Sequence, residues 1–281
     1  MSLSFTKVRS VAELLSRLAE PGAQILCGGT DLVVKMRGGQ ASPAHLLDVS
    51  DLPELLHLDW TNTELSVGAA VPFSNLLAQE AVQERFPILA LVLSKLGSVQ
   101  IRSRGTFGGN LVNASPAADS AIALLVLDAR LVLTSGRGDR TLPVEEFLRG
   151  PGKTALEPGE FVRSVVLPIP DPRLVASFRK VGRRKALTIA IASLGALLRI
   201  DKGRVVEARL AAGSVAPTPL RLRRVEERIA GKKLTPELIE EARALARDSV
   251  SPIDDVRSSA TYRRGVTADL VARLLEESLH A

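Results

Sequence analysis

The chain has 281 residues, of which 46% are apolar and 24% charged, with a net charge of +6; this is enough Leu, Val, Ile and Ala to build one large or two modest cores unaided. A single cysteine, Cys27, excludes an internal disulfide and any iron–sulfur cluster ligated by this chain alone, and three scattered histidines (His45, His57, His280) match no metal-ligand spacing. Basic residues cluster at 179–185, 221–224 and 228–233 and read equally well as a solvated Arg-rich surface; with only 3% aromatics nucleic acid is a poor partner, whereas a phosphorylated cofactor or an acidic protein subunit fits.

The segment from Met1 to Arg9 lacks the apolar stretch of a secretory leader, and the apolar runs 121–127 and 187–198 are too short or interrupted to cross a bilayer. A cytoplasmic protein without a membrane span is the expectation. Ser10-Val11-Ala12-Glu13 is a capping box, and Val11, Leu14, Leu15 and Leu18 follow at helical spacing until Pro21-Gly22. A short strand over 25–27 leads into Gly28-Gly29-Thr30-Asp31, where Thr30 or Asp31 can cap a helix through Met36, and a second strand covers 45–49. Residues 64–69 alternate as a strand, and 72–79 and 87–96 read as helices with proline near their first turn.

The stretch 97–116, rich in Gly, Ser, Asn and Arg, reads as a long functional loop. A buried helix is expected over 117–127, then strands at 130–134 and 161–167 with a turn at 136–139. Pro168, Pro170 and Pro172 mark a domain boundary. Beyond it, strands are expected at 176–181 and 204–211, a strand or helix at 188–200, and helices at 220–230, 235–248 and 258–279.

Two loops carry the chemistry. Cys27-Gly28-Gly29-Thr30-Asp31-Leu32 and Gly105-Thr106-Phe107-Gly108-Gly109-Asn110 each set a hydroxyl beside paired glycines, which leave the main chain open to a phosphate. Taken singly, the first is as well read as a tight turn. The second has Arg102 and Arg104 before it and Asn110, Asn113, Ser115 and Asp119 behind it; Asp119 serves either as first-turn helix decoration or as an acceptor for ribose hydroxyls. Gly150-Pro151-Gly152-Lys153-Thr154 imitates a phosphate-binding P-loop but has Phe147 where the leading glycine is required, so it reads as a surface turn. No nucleophile–base pair is legible, so no catalytic residue is assigned.

Together these motifs resemble the FAD-binding medium subunit of molybdenum hydroxylases, the group that includes carbon monoxide, xanthine and nicotinate dehydrogenases. The first loop is similar to that family's first FAD motif, with Cys27 where a small residue such as Ala is common; residues 106–119 are similar to the second, with Phe107 in place of Ile or Val. Residues 178–190 and Tyr262-Arg263-Arg264 resemble parts of its C-terminal domain. The resemblance implies an α+β fold: a two-subdomain FAD-binding domain over 1–170 (subdomains about 1–52 and 53–170), then a C-terminal α+β domain of antiparallel strands and helices over 171–281.

The resemblance also implies that Ile25, Leu26, Cys27, Gly28, Gly29, Thr30, Asp31 and Leu32 wrap the diphosphate and ribityl chain of FAD. Thr106, Gly108, Gly109 and Asn110 complete the diphosphate site, Asp119 holds the adenosine end, Leu96 and Val162 line the cofactor, and Lys180 approaches the flavin ring. The implied partners are separate chains: a small subunit with two [2Fe-2S] clusters and a large subunit with molybdopterin, as a possible dimer of heterotrimers. FAD would pass electrons from the iron–sulfur centres to NAD, a quinone or oxygen. The alternatives are a self-contained FAD-dependent oxidoreductase, against which one tyrosine and three scattered histidines argue, and a cofactor-free basic scaffold or nucleic-acid-binding protein, against which the two intact loops argue. A family member isolated without its partners, and so without FAD, stays open.

Overall fold

A computed structural model describes residues 3–184 and 189–279. In chain order its elements are β1 (Ser4–Lys7), α1 (Val11–Leu18), β2 (Ala23–Leu26), α2 (Leu32–Arg37), β3 (His45–Asp48), a 3-10 turn (Pro53–Leu55), β4 (Leu58–Trp60), β5 (Glu64–Gly68), α3 (Phe73–Leu77), α4 (Glu80–Arg85), α5 (Pro87–Ser94), α6 (Val99–Arg102), α7 (Phe107–Asn113) and α8 (Asp119–Val126). There follow β6 (Arg130–Ser135), β7 (Gly138–Pro143), α9 (Val144–Phe147), β8 (Leu148–Gly150), β9 (Lys153–Thr154), β10 (Phe161–Pro168), β11 (Val175–Val181), β12 (Ala192–Asp201), β13 (Arg204–Gly213), β14 (Leu220–Arg221), α10 (Arg223–Ile229), α11 (Pro236–Asp248) and α12 (Ala260–Leu279).

Packing groups these elements into two units, one of residues 1–79, 98–114 and 128–169, the other of 80–97, 115–127 and 170–281. In the first unit, β1, β3 and β2 form a parallel sheet in the order β1-β3-β2. Ser10 caps α1 by accepting from the Glu13 N–H, and the Glu13 carboxylate accepts in turn from the Arg9 N–H, one residue short of the reciprocal bond in the textual capping box. Leu14 from α1 then packs with Val8, Leu47, Val49, Leu52, Leu55, Ala70 and Phe161 in one buried cluster. An antiparallel sheet ordered β4-β5-β10-β6-β7 completes the unit, with the small β8–β9 hairpin built from the Gly150–Thr154 run.

The second unit is an antiparallel sheet, β11-β12-β13-β14, with α5 and α8 on one face and α10, α11 and α12 on the other. Alternation along β12 explains the two layers. Ala192, Leu194, Ala196 and Leu198 join the core with α10–α12, whereas Gly195, on the opposite face, lets Ile122 of α8 approach so closely that a Cβ would sit 2.5 Å from it. Both ends of α8 are buried. At its C-terminus Arg221, paired with Glu226, donates to the Leu125 carbonyl at 2.9 Å, placing a cation where the helix dipole is negative.

The α+β architecture is present, and several local expectations are corrected. The long loop at 97–116 contains two short helices, α6 and α7, closed by Ser98 and Thr106 caps. The helix expected over 72–79 is confined to Phe73–Leu77 with Pro72 at its N-cap position, and the helix α4 follows it unforeseen, as do β1, β4 and β7. The ambiguous 188–200 segment is a strand from Ala192; Thr188, like Lys185 and His280, lies outside the described residues. Leu220-Arg221 is a strand rather than the start of α10. No helix among the described residues is long and apolar enough to cross a membrane.

Candidate cofactor site

The first glycine loop leaves the β2 strand at Leu26 and enters α2 at Leu32. Asp31 occupies the N-cap position of α2, yet its side chain makes no capping bond; the Gly29 and Asp31 carbonyls instead accept from the Val33 and Lys35 N–H groups. Gly29 sits at φ +72, a conformation that costs other residues free energy. Residues 25–30 are half-buried and Asp31 is exposed.

The second loop runs from α6 through Gly105 into α7. Thr106 caps α7 by accepting from the Gly109 N–H at 3.1 Å, and its carbonyl accepts from Asn110. Phe107 is buried edge-on against Phe73. Gly109, by contrast, is exposed, and a Cβ there would meet only the Thr106 hydroxyl, at 3.4 Å.

The structure brings the two loops together at backbone level. A Cβ on Gly28 would fall 1.8 Å from the Arg104 carbonyl oxygen. Gly108 also lies close to Ala69: its N–H donates to the Ala69 carbonyl at 3.1 Å, and a Cβ would lie 2.8 Å from that oxygen. Ala69 donates to the Arg163 carbonyl of β10, next to Val162, and the Cys27 Sγ lies 4.0 Å from the Ala70 carbonyl. Ala69-Ala70 is therefore the joint on which both loops and β10 meet. Behind the loops, the Lys35 ammonium of α2 donates to Asn113 Oδ1 at the end of α7, at 2.5 Å. Burial pushes the Cys27 thiol up, opposed by hydrogen bonds from Thr106 and the Gly28 N–H, which leaves a neutral thiol at pH 7 and no nucleophile.

These residues fit a dinucleotide diphosphate. Gly29 and Gly109 carry no side chain over the main chain, and Thr30, Arg104 and Thr106 flank them along the two loops. The joint at Ala69-Ala70, the Arg104 carbonyl and the Lys35–Asn113 bond escaped sequence reasoning; only the small-residue run Gly68-Ala69-Ala70 after a strand hints at a close approach.

Of the remaining sequence-derived candidates, Val162 is buried in β10 where its pairing with β6 shifts register. Leu96, Asp119 and Lys180 belong to the second unit. Leu96 is buried just past α5. Asp119 opens α8, and its Oδ2 accepts from the Lys180 Nζ of β11 at 2.5 Å, with both side chains nearly closed to solvent. Burial pushes the Asp119 carboxyl up, and Lys180 pulls it back. An extended dinucleotide separates its adenosine from its ring system by a diphosphate and a ribityl chain. Asp119, expected at the adenosine, and Lys180, expected at the flavin, are in direct contact with each other. Among the described residues no cluster of His, Cys, Asp and Glu could hold a metal ion.

Comparison with known proteins fits this geometry. Residues 1–170 match the model of the FAD binding domain in molybdopterin dehydrogenase, and residues 176–278 that of the CO dehydrogenase flavoprotein C-terminal domain. The chain is 30% identical to the glyceraldehyde dehydrogenase medium chain of Sulfolobus acidocaldarius, over 98% of this chain and 97% of that one. It is equally, 30%, identical to the xanthine dehydrogenase FAD-binding subunit of Escherichia coli O157:H7, covering 99% and 96%. Among solved structures, a chain of reconstituted CO dehydrogenase from Oligotropha carboxidovorans superposes with a TM-score of 0.94 at 27% identity, covering 100% of this chain and 98% of that one.

Proposed function

Because the chain belongs to the family of FAD-binding medium subunits of molybdenum hydroxylases, we propose that it is the electron-transfer subunit of a cytoplasmic multi-subunit dehydrogenase. In this reading it works beside a small subunit with two [2Fe-2S] clusters and a large subunit with molybdopterin, in a dimer of heterotrimers, and electrons leave to NAD, a quinone or oxygen. Bound FAD supplies the reversible one- and two-electron chemistry that the side chains here lack.

The observation that carries the proposal is the backbone joint at Gly28–Arg104 and Gly108–Ala69, which fixes two phosphate-accepting loops as one surface. On it, residues 25–32 take the diphosphate and ribityl chain, Thr106, Gly108, Gly109 and Asn110 complete the diphosphate site, and Val162 supplies apolar lining. The chain's own work is to bind, orient and shield; neither loop offers a group to move a proton.

Partner subunits are supported by the surface beside the loops. α2, α6 and α7 each follow or precede a loop, and each exposes aliphatic side chains: Val34 and Val99 at 65% each, Val112 at 42%. Such residues favour a covering partner. Affinity capture of the tagged chain from its native host, followed by metal and flavin analysis, tests the reading. Co-purifying chains that carry iron, acid-labile sulfide and molybdopterin are expected. A chain that recovers alone and turns over a substrate by itself contradicts the subunit assignment.

A further inference from the structure

One apolar side chain of the second unit stands far out in solvent on a rigid support. Val256 is 88% exposed in the Asp255–Ser258 turn, whose two ends exchange backbone hydrogen bonds. The Asp255 carboxylate accepts from the Arg257 and Ser258 N–H groups and from the Arg257 and Arg263 side chains. Arg263 is itself buried and holds the Ile191 and Ser214 carbonyls, while Arg183 donates to the carbonyls of Val256 and Arg257. Turns favour Gly, Pro, Asn, Asp and Ser, and an aliphatic side chain fixed at such a tip gains nothing from water. The shoulder of the turn is basic: Arg183, Arg257 and Arg263, which touch it, and Arg264 next along α12 outnumber Asp254 and Asp255.

The same unit carries a groove of about 900 Å³ between α11 and α12. Pro236, Ile239, Ala272 and Leu279 give it an apolar floor. Its rim sets Glu240, Asp269, Glu276 and Glu277 against Arg243 and Arg273. Arg243 binds Asp269 and Glu240, and Arg273 and Arg179 both bind Glu277, which leaves Glu276 without an ion pair among the described residues and the rim acidic. The turn lies just before α12, whereas the groove runs along residues 269–279, roughly 14 to 28 Å further on at about 1.5 Å per residue. The tip therefore cannot enter the groove of its own chain.

We propose that the Val256 tip seats in this groove on a second copy of the chain, and that a two-fold axis across α12 makes the contact reciprocal. Tip and groove lie at opposite ends of one helix, so two antiparallel α12 helices bring each tip over the other's groove and close the pair. Apolar tip meets apolar floor, and basic shoulder meets acidic rim. A parallel arrangement would set the basic shoulders against each other, so charge selects the antiparallel one. Ile253, 73% exposed in the same loop, adds apolar surface beside the tip. The contact needs neither flavin nor another subunit, and it gives the two-fold of the dimer of heterotrimers proposed above a seat in this chain.

The test is sedimentation equilibrium of the purified full-length chain across the micromolar range, where a dimer is expected. Val256→Ala removes two buried carbons at each of two contacts, so it should weaken the dimer about tenfold per contact and about a hundredfold in all. Val256→Asp and Glu276→Lys should each be monomeric with an unchanged Tm. Val175→Asp, at a position also exposed (71%) but outside both surfaces, should stay dimeric. Mixed together, Val256→Asp and Glu276→Lys should associate again, because one contact of the mixed pair is intact and the other has its charges exchanged. A monomeric wild-type chain, a dimer that neither variant weakens, or a mixture that associates no better than its components overturns the proposal. Loss of other subunits from the Val256→Asp complex, with the wild-type chain monomeric by itself, assigns the turn to a different protein and overturns it too. A dimeric wild-type chain that binds no FAD defeats the parent reading and leaves this one standing.

Discussion

The carbonyl oxygen of Arg104 occupies the space that a side chain on Gly28 would need, 1.8 Å from the position of its Cβ. The glycine of the first loop is thus required by the backbone of the second as much as by any ligand. The two loops are one structural object, and damage to either reaches both.

Gly28→Ala should therefore do more than crowd a phosphate. The clash is with backbone, which cannot rotate away, so the loops must separate; a destabilisation of about 3 kcal/mol, at the upper end of overpacking costs, is expected. Flavin retention should be lost with it. Gly136→Ala, where a Cβ meets nothing within 4 Å, is the control and should change neither. Thermal melts and flavin absorbance of the two variants check both halves.

Thr106 caps α7 through the Gly109 N–H. Thr106→Ala should cost about 1 kcal/mol of stability and weaken FAD, because the freed N–H no longer holds the Gly108-Gly109 turn. Thr106→Ser keeps the oxygen and should restore most of both. A urea titration beside a flavin titration of the two variants measures this.

Lys180 pairs with the buried Asp119. Lys180→Met strands that carboxylate, and breaking a buried pair costs about 3–5 kcal/mol. Asp119 already has a raised pKa through burial, and removal of Lys180 raises it further. Its neutral form then dominates as pH falls, so the deficit of Lys180→Met should be largest near pH 8 and shrink towards pH 5. Asp119→Asn instead strands the Lys180 ammonium, so it should also destabilise, but its deficit should not shrink towards pH 5. Denaturation midpoints at the two pH values give the comparison.

Asp255 binds Arg257 and Arg263, the latter buried in α12 and also donating to the carbonyls of Ile191 and Ser214. Burial works against ionisation of Asp255, but hydrogen bonds from Arg257 and Arg263 prevail and hold its carboxyl well below the usual range. A carboxyl depressed in the folded state stabilises above its unfolded pKa of about 4 and loses that contribution as pH falls below it. Asp255→Asn should lower stability at neutral pH and flatten the acid branch of the Tm profile below about pH 4.

The cradle was legible because its chemistry is local: paired glycines and a hydroxyl within six residues each. What joins the loops was not, since the Ala69-Ala70 joint and the Arg104 carbonyl act through backbone atoms that any residue carries. The helix α7 was missed because its glycines and asparagines disfavour helix, and the Thr106 cap and the burial of Phe107 and Leu111 override that preference; α6, a single turn of four residues, is too short to show a helical period. The Asp119–Lys180 pair depends on tertiary placement: motif position suggested a role for each residue, and only the packing of β11 against α8 brings the two side chains into contact.

The central claim is that the joined loops hold FAD. Its most direct test is the flavin content of the purified wild-type complex and of its Gly28→Ala counterpart, read by absorbance and by cofactor release with chromatography. One FAD per copy of this chain in the wild type, and loss of FAD with iron and molybdenum retained in the variant, is the predicted result. A fully metallated wild-type complex without flavin, or a Gly28→Ala complex with its full complement, would contradict it.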